Sequence, residues 1–258
     1  MTRIHATAII DPRAELAADV EVGPYSVIGP DVRIGAGTWI GPHVVVSGPT
    51  VIGERNRIYQ FASVGADCQD KKYRGEPTRL EIGDDNIIRE ACTLHRGTVQ
   101  DEGLTRIGSR NLLMVNTHLA HDVVLGNDIT IANNAAIAGH VRIGDFVIVG
   151  GNSGIHQFCQ VGAYAMLAGG TTLFKDVPAY VMASGNPAEA RGMNFEGMKR
   201  KGWSSQTIND LRRAYKIVFR DGLTLDAAYP LLDELAETSP EVQLFIDSLR
   251  ASTRGITR

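Results

Sequence analysis

His121 and Asp122 are adjacent; Gly139 and His140 follow them 18 positions later, and Gln157, preceded by His156, stands 18 positions after Gly139. Five of the seven histidines, His95, His118, His121, His140 and His156, fall in this part of the chain. A neutral imidazole can take a proton from a hydroxyl as that hydroxyl attacks a carbonyl, and a neighbouring carboxylate orients the ring and stabilises its protonated form. A glycine N–H can donate to the resulting oxyanion, and the missing side chain permits close approach. His121 as base, Asp122 as its partner and Gly139 as oxyanion donor form one chemically complete set, provided that the fold repeats every 18 residues. There is no Gly-x-Ser-x-Gly elbow, and Cys68, Cys92 and Cys159 do not stack beside a histidine in the same arithmetic, so a covalent nucleophile is not indicated.

An aliphatic residue recurs at every sixth position eleven times from Ile4 to Val64, three times at Ile82, Ile88 and Leu94, and, after a shift of one residue, twelve times from Ile107 to Leu173. Glycine or another small residue often follows, as in Val22-Gly23 and Ile143-Gly144. The period is that of a hexapeptide-repeat parallel β-helix. Each hexad supplies a short strand whose aliphatic residue points to the axis, then a turn where a small residue takes a conformation that a bulky one resists. Three hexads close a triangular coil of 18 residues, which puts the histidine cluster on one edge within roughly 10 Å of axial height.

Two stretches leave the register, near 66–81 and 97–106. The first, containing Gln69, Asp70 and Lys72, is polar enough to reach over a ligand, or to be a solvated excursion. After Leu173 the repeat stops. The expected division is a β-helix over 1–185 and an α-helical domain over 186–258, with helix starts near Asn194, Ser204, Thr224 and Ser239-Pro240. The helices would cover the last coil, whose strand edges are otherwise unpaired.

Composition sets limits. The chain is 43% hydrophobic and 21% charged with net charge -3, which gives no whole-chain case for nucleic-acid binding. Three cysteines without Cys-x-x-Cys spacing fit a reducing compartment, and with no signal pattern and no apolar run near 18 residues the expected location is the cytoplasm, without an integral membrane segment.

Between the generic hexads stand specific blocks: Asp70 through Arg79, His95-Arg96-Gly97-Thr98-Val99, His118-Leu119-Ala120-His121-Asp122, Ala138-Gly139-His140-Val141, His156-Gln157-Phe158-Cys159 and Asn194-Phe195-Glu196-Gly197. With these the whole chain resembles the UDP-N-acetylglucosamine acyltransferases of lipid A biosynthesis. The resemblance implies a left-handed solenoid, a homotrimer with sites between neighbouring prisms, and no metal or bound cofactor. It implies transfer of an (R)-3-hydroxyacyl group from acyl carrier protein to the glucosamine 3-hydroxyl of UDP-N-acetylglucosamine. His121, Asp122 and Gly139 match the catalytic positions. Gln69 lies in the same polar loop, and Asp70, Lys72, His95, His118, His140 and Gln157 match positions around the sugar and acyl carbonyl. His156, Asn194, Glu196 and Arg200 match nucleotide-side positions. Lys201 stands where many relatives carry arginine, so the charge is kept and the bidentate fork lost. The run Lys199-Arg200-Lys201 suits the acidic carrier protein or the diphosphate, or is a solvated helix face. Gly169 matches a ruler position at which a bulky residue shortens the accepted acyl chain, so glycine implies a long one of about 14 carbons.

Two other classes share the period. A zinc enzyme of the carbonic anhydrase type would use His118 and His121 with His95 or His140 of a neighbour, and a purely structural solenoid would need no site at all.

Overall fold

The computed structural model describes residues 3–258. Each of the 26 hexads carries one short strand, from Arg3–Ile4 to Thr172–Leu173. Successive strands lie on three different faces, and parallel pairing from coil to coil stacks them into three sheets, of 11, 9 and 8 strands once two further strands after the last hexad are added to the first. Ile4 pairs with Val22, Ile10 with Ile28 and Leu16 with Ile34, a spacing of 18 in every case. The aliphatic column inside the prism is fully buried along most of its length, as at Ile40, Ile58, Ile88, Leu113 and Ile131. Each such side chain contributes roughly 1.5–3 kcal/mol by leaving water. The first coil is the exception: Ile4 is 45% exposed, because no coil lies beneath it.

The structure changes the reason for the glycines. The left-handed position of each turn is the third residue after the aliphatic one, and it is filled by Tyr25, Asp31, His43, Phe61, Asp122, His140 and Phe158, with φ between 55° and 66°. The glycine directly after the strand serves close stacking instead. A Cβ on Gly23 would sit 2.8 Å from the Gly41 carbonyl carbon, and one on Gly35 would sit 2.6 Å from that of Gly53. Asp122 and His140 are thus turn residues themselves, held in an uncommon backbone conformation by the coils above and below.

The two excursions are insertions at one edge, that between the second and third sheets. Ile82 pairs with Ile52, 30 positions away instead of 18, so the first insertion is 12 residues long and leaves the six-residue phase unchanged. Leu113 pairs with Ile88, 25 positions away, so the second is seven residues long and shifts the phase by one. Strands resume at Arg79 and Leu104, slightly earlier than the sequence suggests.

At the far end the first sheet continues past the last hexad. Strand Val181–Ser184 pairs in parallel with Met166–Leu167, and Glu189–Met193 folds back antiparallel on it. This hairpin crosses the expected boundary at 185/186, so helix begins only at α1 (Phe195–Arg200), followed by α2 (Ser205–Phe219), α3 (Leu225–Ala236) and α4 (Pro240–Arg250). Ser204 and Thr224 accept from the backbone N–H of Thr207 and Ala227 and cap α2 and α3. Leu211, Leu232, Phe245 and Ile246 join the prism core in one continuous apolar cluster. Among the described residues no helix is long and apolar enough to cross a membrane.

Buried Asp176 ties the tail to the prism: its carboxylate accepts from Ser252 Oγ at 2.8 Å, from the N–H of Thr253 and Arg254 at 3.0 and 3.1 Å, and from the Gln160 N–H at 2.7 Å. Asp176→Ala leaves these donors without their acceptor and is expected to cost about 2 kcal/mol. Urea unfolding checks this, and an unchanged midpoint would remove Asp176 from the account.

Candidate active site

The 18-residue arithmetic holds at the edge between the second and third sheets. The His140 N–H donates to the His121 carbonyl at 3.1 Å and the Phe158 N–H to that of Gly139 at 3.1 Å, which stacks residues 120–123, 138–141 and 156–159 as successive turns. His121 Nδ1 donates to Asp122 Oδ2 at 2.8 Å. The His121 side chain keeps 15% of its surface open, whereas that of Asp122 keeps 1%. Gly139 lies against the ring: a Cβ there would come within 2.6 Å of His121 Cε1 and 2.8 Å of Nε2. Glycine is therefore required for the imidazole to occupy its place.

Asp122 is satisfied by the second insertion. Thr98 donates to it twice, through N–H to Oδ1 at 2.8 Å and through Oγ to Oδ2 at 2.6 Å. Burial acts against the carboxylate, but the hydrogen bonds from His121 and Thr98 outweigh it and hold its pKa below the usual value. The Asp122 N–H in turn donates to Thr105 Oγ at 2.8 Å. Gly97 lets the chain pass this close, since a Cβ there would lie 2.8 Å from Asp122 Oδ1.

His140 packs edge-on to His121 with ring centroids 5.1 Å apart and stacks on Phe158 at 4.5 Å. Its Nδ1 lies 2.9 Å from Asp101 Oδ2. His118 and His95 stand one and two coils below, their centroids 5.3 Å apart; His118 Nδ1 meets Thr93 Oγ at 2.8 Å, and His95 Nδ1 donates to the Asp67 carbonyl at 2.6 Å. Burial, helped by His95 and His121, pushes the His118 pKa below that of an ordinary imidazole and keeps the ring neutral at neutral pH. Arg96, itself buried, anchors the first insertion by donating to the Gly48 and Gly65 carbonyls, Asp67 and Tyr73 Oη.

Two cavities meet at His121. A groove of about 570 Å³ runs over the second sheet, with Gln69, Asp70, His118, His156 and Gln157 at its rim and Ala136, Gly154 and Leu173 among its floor. Its floor follows from the register: His118, Ala136, Gly154 and Thr172 pair in succession and form one outward column, whose middle members are small. The second cavity, about 480 Å³, is polar and bounded by Asp70, Lys72, Gln100, Asp101, His140 and Gln157.

The remaining expected residues lie on other edges. Asn194 is the cap of α1; its Oδ1 accepts from the Gly197 N–H at 3.1 Å and its Nδ2 donates to the Tyr164 carbonyl at 3.2 Å. Lys201 Nζ sits 4.3 Å from the centroid of the Phe146 ring, which stacks on Tyr164 at the edge between the third and first sheets. Glu196 pairs with Lys199 at 2.8 Å, and this contact lowers its pKa; Arg200 ends the same short helix. The basic run is thus divided between an ion pair and an aromatic face. His156, expected on the nucleotide side with Asn194, lines the groove beside His121 in its own prism. Gly169 starts the turn from the first to the second sheet. The sequence reading missed Thr98, Asp101, Thr105 and Phe158 as partners of the site. The phase shift after Leu94 marked the segment carrying the first three but did not reveal what they face. Cys92 and Cys159 are buried thiols pushed up to about 11 by burial, as incidental cysteines would be. Among the described residues, the group whose donor atoms converge as for a metal is His121, Asp122 and His140, not the His118-centred trio considered for a zinc enzyme.

Comparison with known proteins agrees with this architecture. A family described as UDP-N-acetylglucosamine O-acyltransferase, domain 2, matches residues 176–257, and the six-repeat bacterial transferase hexapeptide family matches residues 31–66. The acyl-[acyl-carrier-protein]–UDP-N-acetylglucosamine O-acyltransferase of Stutzerimonas stutzeri is 58% identical over 258 residues, all of both chains. That of Ectopseudomonas mendocina is 59% identical over the same length. The solved LpxA of Acinetobacter baumannii superposes with a TM-score of 0.96 at 61% identity, covering 99% of each chain. The UDP-N-acetylglucosamine O-acyltransferase of Moraxella catarrhalis does so with 0.98 at 56% identity and the same coverage. These relationships set aside the carbonic anhydrase and scaffold alternatives. The chain belongs to the acyl-[acyl-carrier-protein]–UDP-N-acetylglucosamine O-acyltransferase family of hexapeptide-repeat enzymes.

Proposed function

We propose that this chain transfers an (R)-3-hydroxyacyl group, 3-hydroxymyristoyl in length, from acyl carrier protein to the glucosamine 3-hydroxyl of UDP-N-acetylglucosamine, the first step of lipid A biosynthesis. The observation that carries the reading is the His121–Asp122 pair at 2.8 Å, set against Gly139 at the meeting of an apolar groove and a polar pocket. Because Asp122 accepts a hydrogen bond from Nδ1–H, the neutral ring keeps its lone pair on Nε2. Nε2 removes the proton of the sugar 3-hydroxyl as its oxygen attacks the thioester carbonyl. The Gly139 N–H donates to the oxyanion. Collapse breaks the C–S bond, and the imidazolium, stabilised by Asp122, returns the proton to the leaving thiolate. The apolar groove suits the acyl chain and the polar pocket the sugar, with Gln69, Asp70, Lys72, His95, His118, His140 and Gln157 around the reacting groups.

The site residues on the other edges call for a second copy. Asn194, Glu196, Arg200 and Lys201 are not among the residues that line the His121 groove of their own prism, but side-by-side packing in a homotrimer brings a neighbour's edge to it. In this reading Arg200 and Lys201 face the diphosphate or the acidic carrier protein, whereas Asn194 acts mainly by fixing α1. The decisive experiment is turnover of UDP-N-acetylglucosamine against a panel of 3-hydroxyacyl carrier proteins. The expected product is the 3-O-ester, formed fastest with the donor of about 14 carbons; no ester with any donor would overturn the proposal.

A further inference from the structure

We propose that Asp101 is a positioning residue which locks His140 in one tautomer and one ring orientation, so that His140 Nε2 accepts a hydrogen bond from the acceptor sugar. The inference rests on the assignment of the polar pocket to the sugar and adds a residue to it. Asp101 belongs to the seven-residue insertion, and its carboxylate lies 2.9 Å from His140 Nδ1. A carboxylate only accepts, so Nδ1 carries the proton and Nε2 is the free nitrogen of the neutral ring. The ring has two aromatic neighbours among the described residues, and neither hydrogen-bonds to Nε2. Phe158 covers one face, nearly parallel at 10°, and His121 stands edge-on. Asp122 Oδ2 is 3.7 Å from Nε2, too far for a hydrogen bond, and is already taken by His121 and Thr98. His140 borders the cavity shared with Asp70, Lys72 and Gln157.

The insertion is built to hold Asp101 there. The N–H groups of Asp101 and Gly103 both donate to the Thr98 carbonyl, at 3.2 and 3.0 Å, while Thr98 itself is fastened to Asp122. One loop therefore supplies both partners of the two site imidazoles: Thr98 braces the carboxylate of His121, and Asp101 is the carboxylate of His140.

The test combines spectroscopy with kinetics on the intact protein. In sugar-free enzyme labelled with ¹⁵N-histidine, the wild-type His140 should show a proton on Nδ1 and a bare Nε2, and adding UDP-N-acetylglucosamine should shift Nε2. Asp101→Ala should give a mixture of tautomers and raise KM for the UDP-sugar about tenfold, with kcat within about threefold, because the lost contact is made equally in ground and transition states. Asp101→Asn, whose amide oxygen still accepts from Nδ1–H, should restore the wild-type tautomer and most of the KM. The tautomer is read without turnover, so it stands even if the sugar is not the substrate. Finding wild-type His140 protonated on Nε2 alone, an Asp101→Ala variant with unchanged tautomer and KM, or a fall in kcat at unchanged KM would each overturn the proposal.

Discussion

His121→Ala is expected to lower turnover of UDP-N-acetylglucosamine by at least about 10²-fold while leaving the protein folded and able to bind the UDP-sugar. The argument is one of placement. The His121 ring is outside the prism, on a turn between Leu119, which is fully buried, and Val123, which is also fully buried, so its loss opens no cavity in the core. Among the described residues the hydrogen-bond partner of its ring is Asp122, whose carboxylate keeps both hydrogen bonds from Thr98. In the proposed mechanism, what the variant lacks is the acceptor that takes the hydroxyl proton as the new C–O bond forms. An effect confined to kcat with thermal unfolding unchanged is the expected signature, since the proton moves only on the way to the transition state. Retention of more than about a tenth of the activity would show that another group is the base, and His118, neutral and facing the same groove, would be the next to test.

How far the site could be read from sequence depended on what the period carries. Positions 121, 139 and 157 are related by a whole coil, so their proximity follows from counting, and the structure stacks them as counted. The same counting fails inside the insertions, where no axial repeat relates one residue to another. Thr98 and Asp101 therefore gave no sign of facing Asp122 and His140, although their loop was marked by the shift in phase. The 12-residue insertion left no phase shift and showed itself only through Asp70 and Glu76 at aliphatic positions. The hairpin of Val181–Ser184 and Glu189–Met193 was missed for a related reason: a turn over 185–188 reverses the chain directly after the first strand, and an antiparallel closure lies outside any solenoid pattern. Asn194 illustrates a third limit. A motif match names a residue but not what its side chain is already bound to, and here both amide atoms are engaged in capping α1 and holding Tyr164.

Gly169→Met is expected to invert the acyl-chain preference, from a donor of about 14 carbons to one of about 10. Gly169 does not occupy the left-handed region, and a Cβ added there would meet nothing nearer than the Gly151 carbonyl oxygen at 3.5 Å, an ordinary contact. The backbone thus accepts a side chain without strain, and the methionine extends outward from the edge between the first and second sheets. That edge adjoins Thr172, the last member of the column His118, Ala136, Gly154, Thr172 that floors the groove. An acyl chain starting at His121 and running over this column arrives at a Gly169 turn, its own or a neighbour's. Four methylenes separate the two donors; at about 0.8 kcal/mol each, their burial is worth roughly 3 kcal/mol, or about 200-fold in kcat/KM. A methionine filling the end of the groove removes that gain and adds a clash for the long chain, while the short chain stops before reaching it. The measurement is kcat/KM with both donors for both proteins, alongside thermal unfolding, which should not move. Equal losses on the two donors, or a wild-type enzyme that already prefers the short one, would place the end of the groove at another residue.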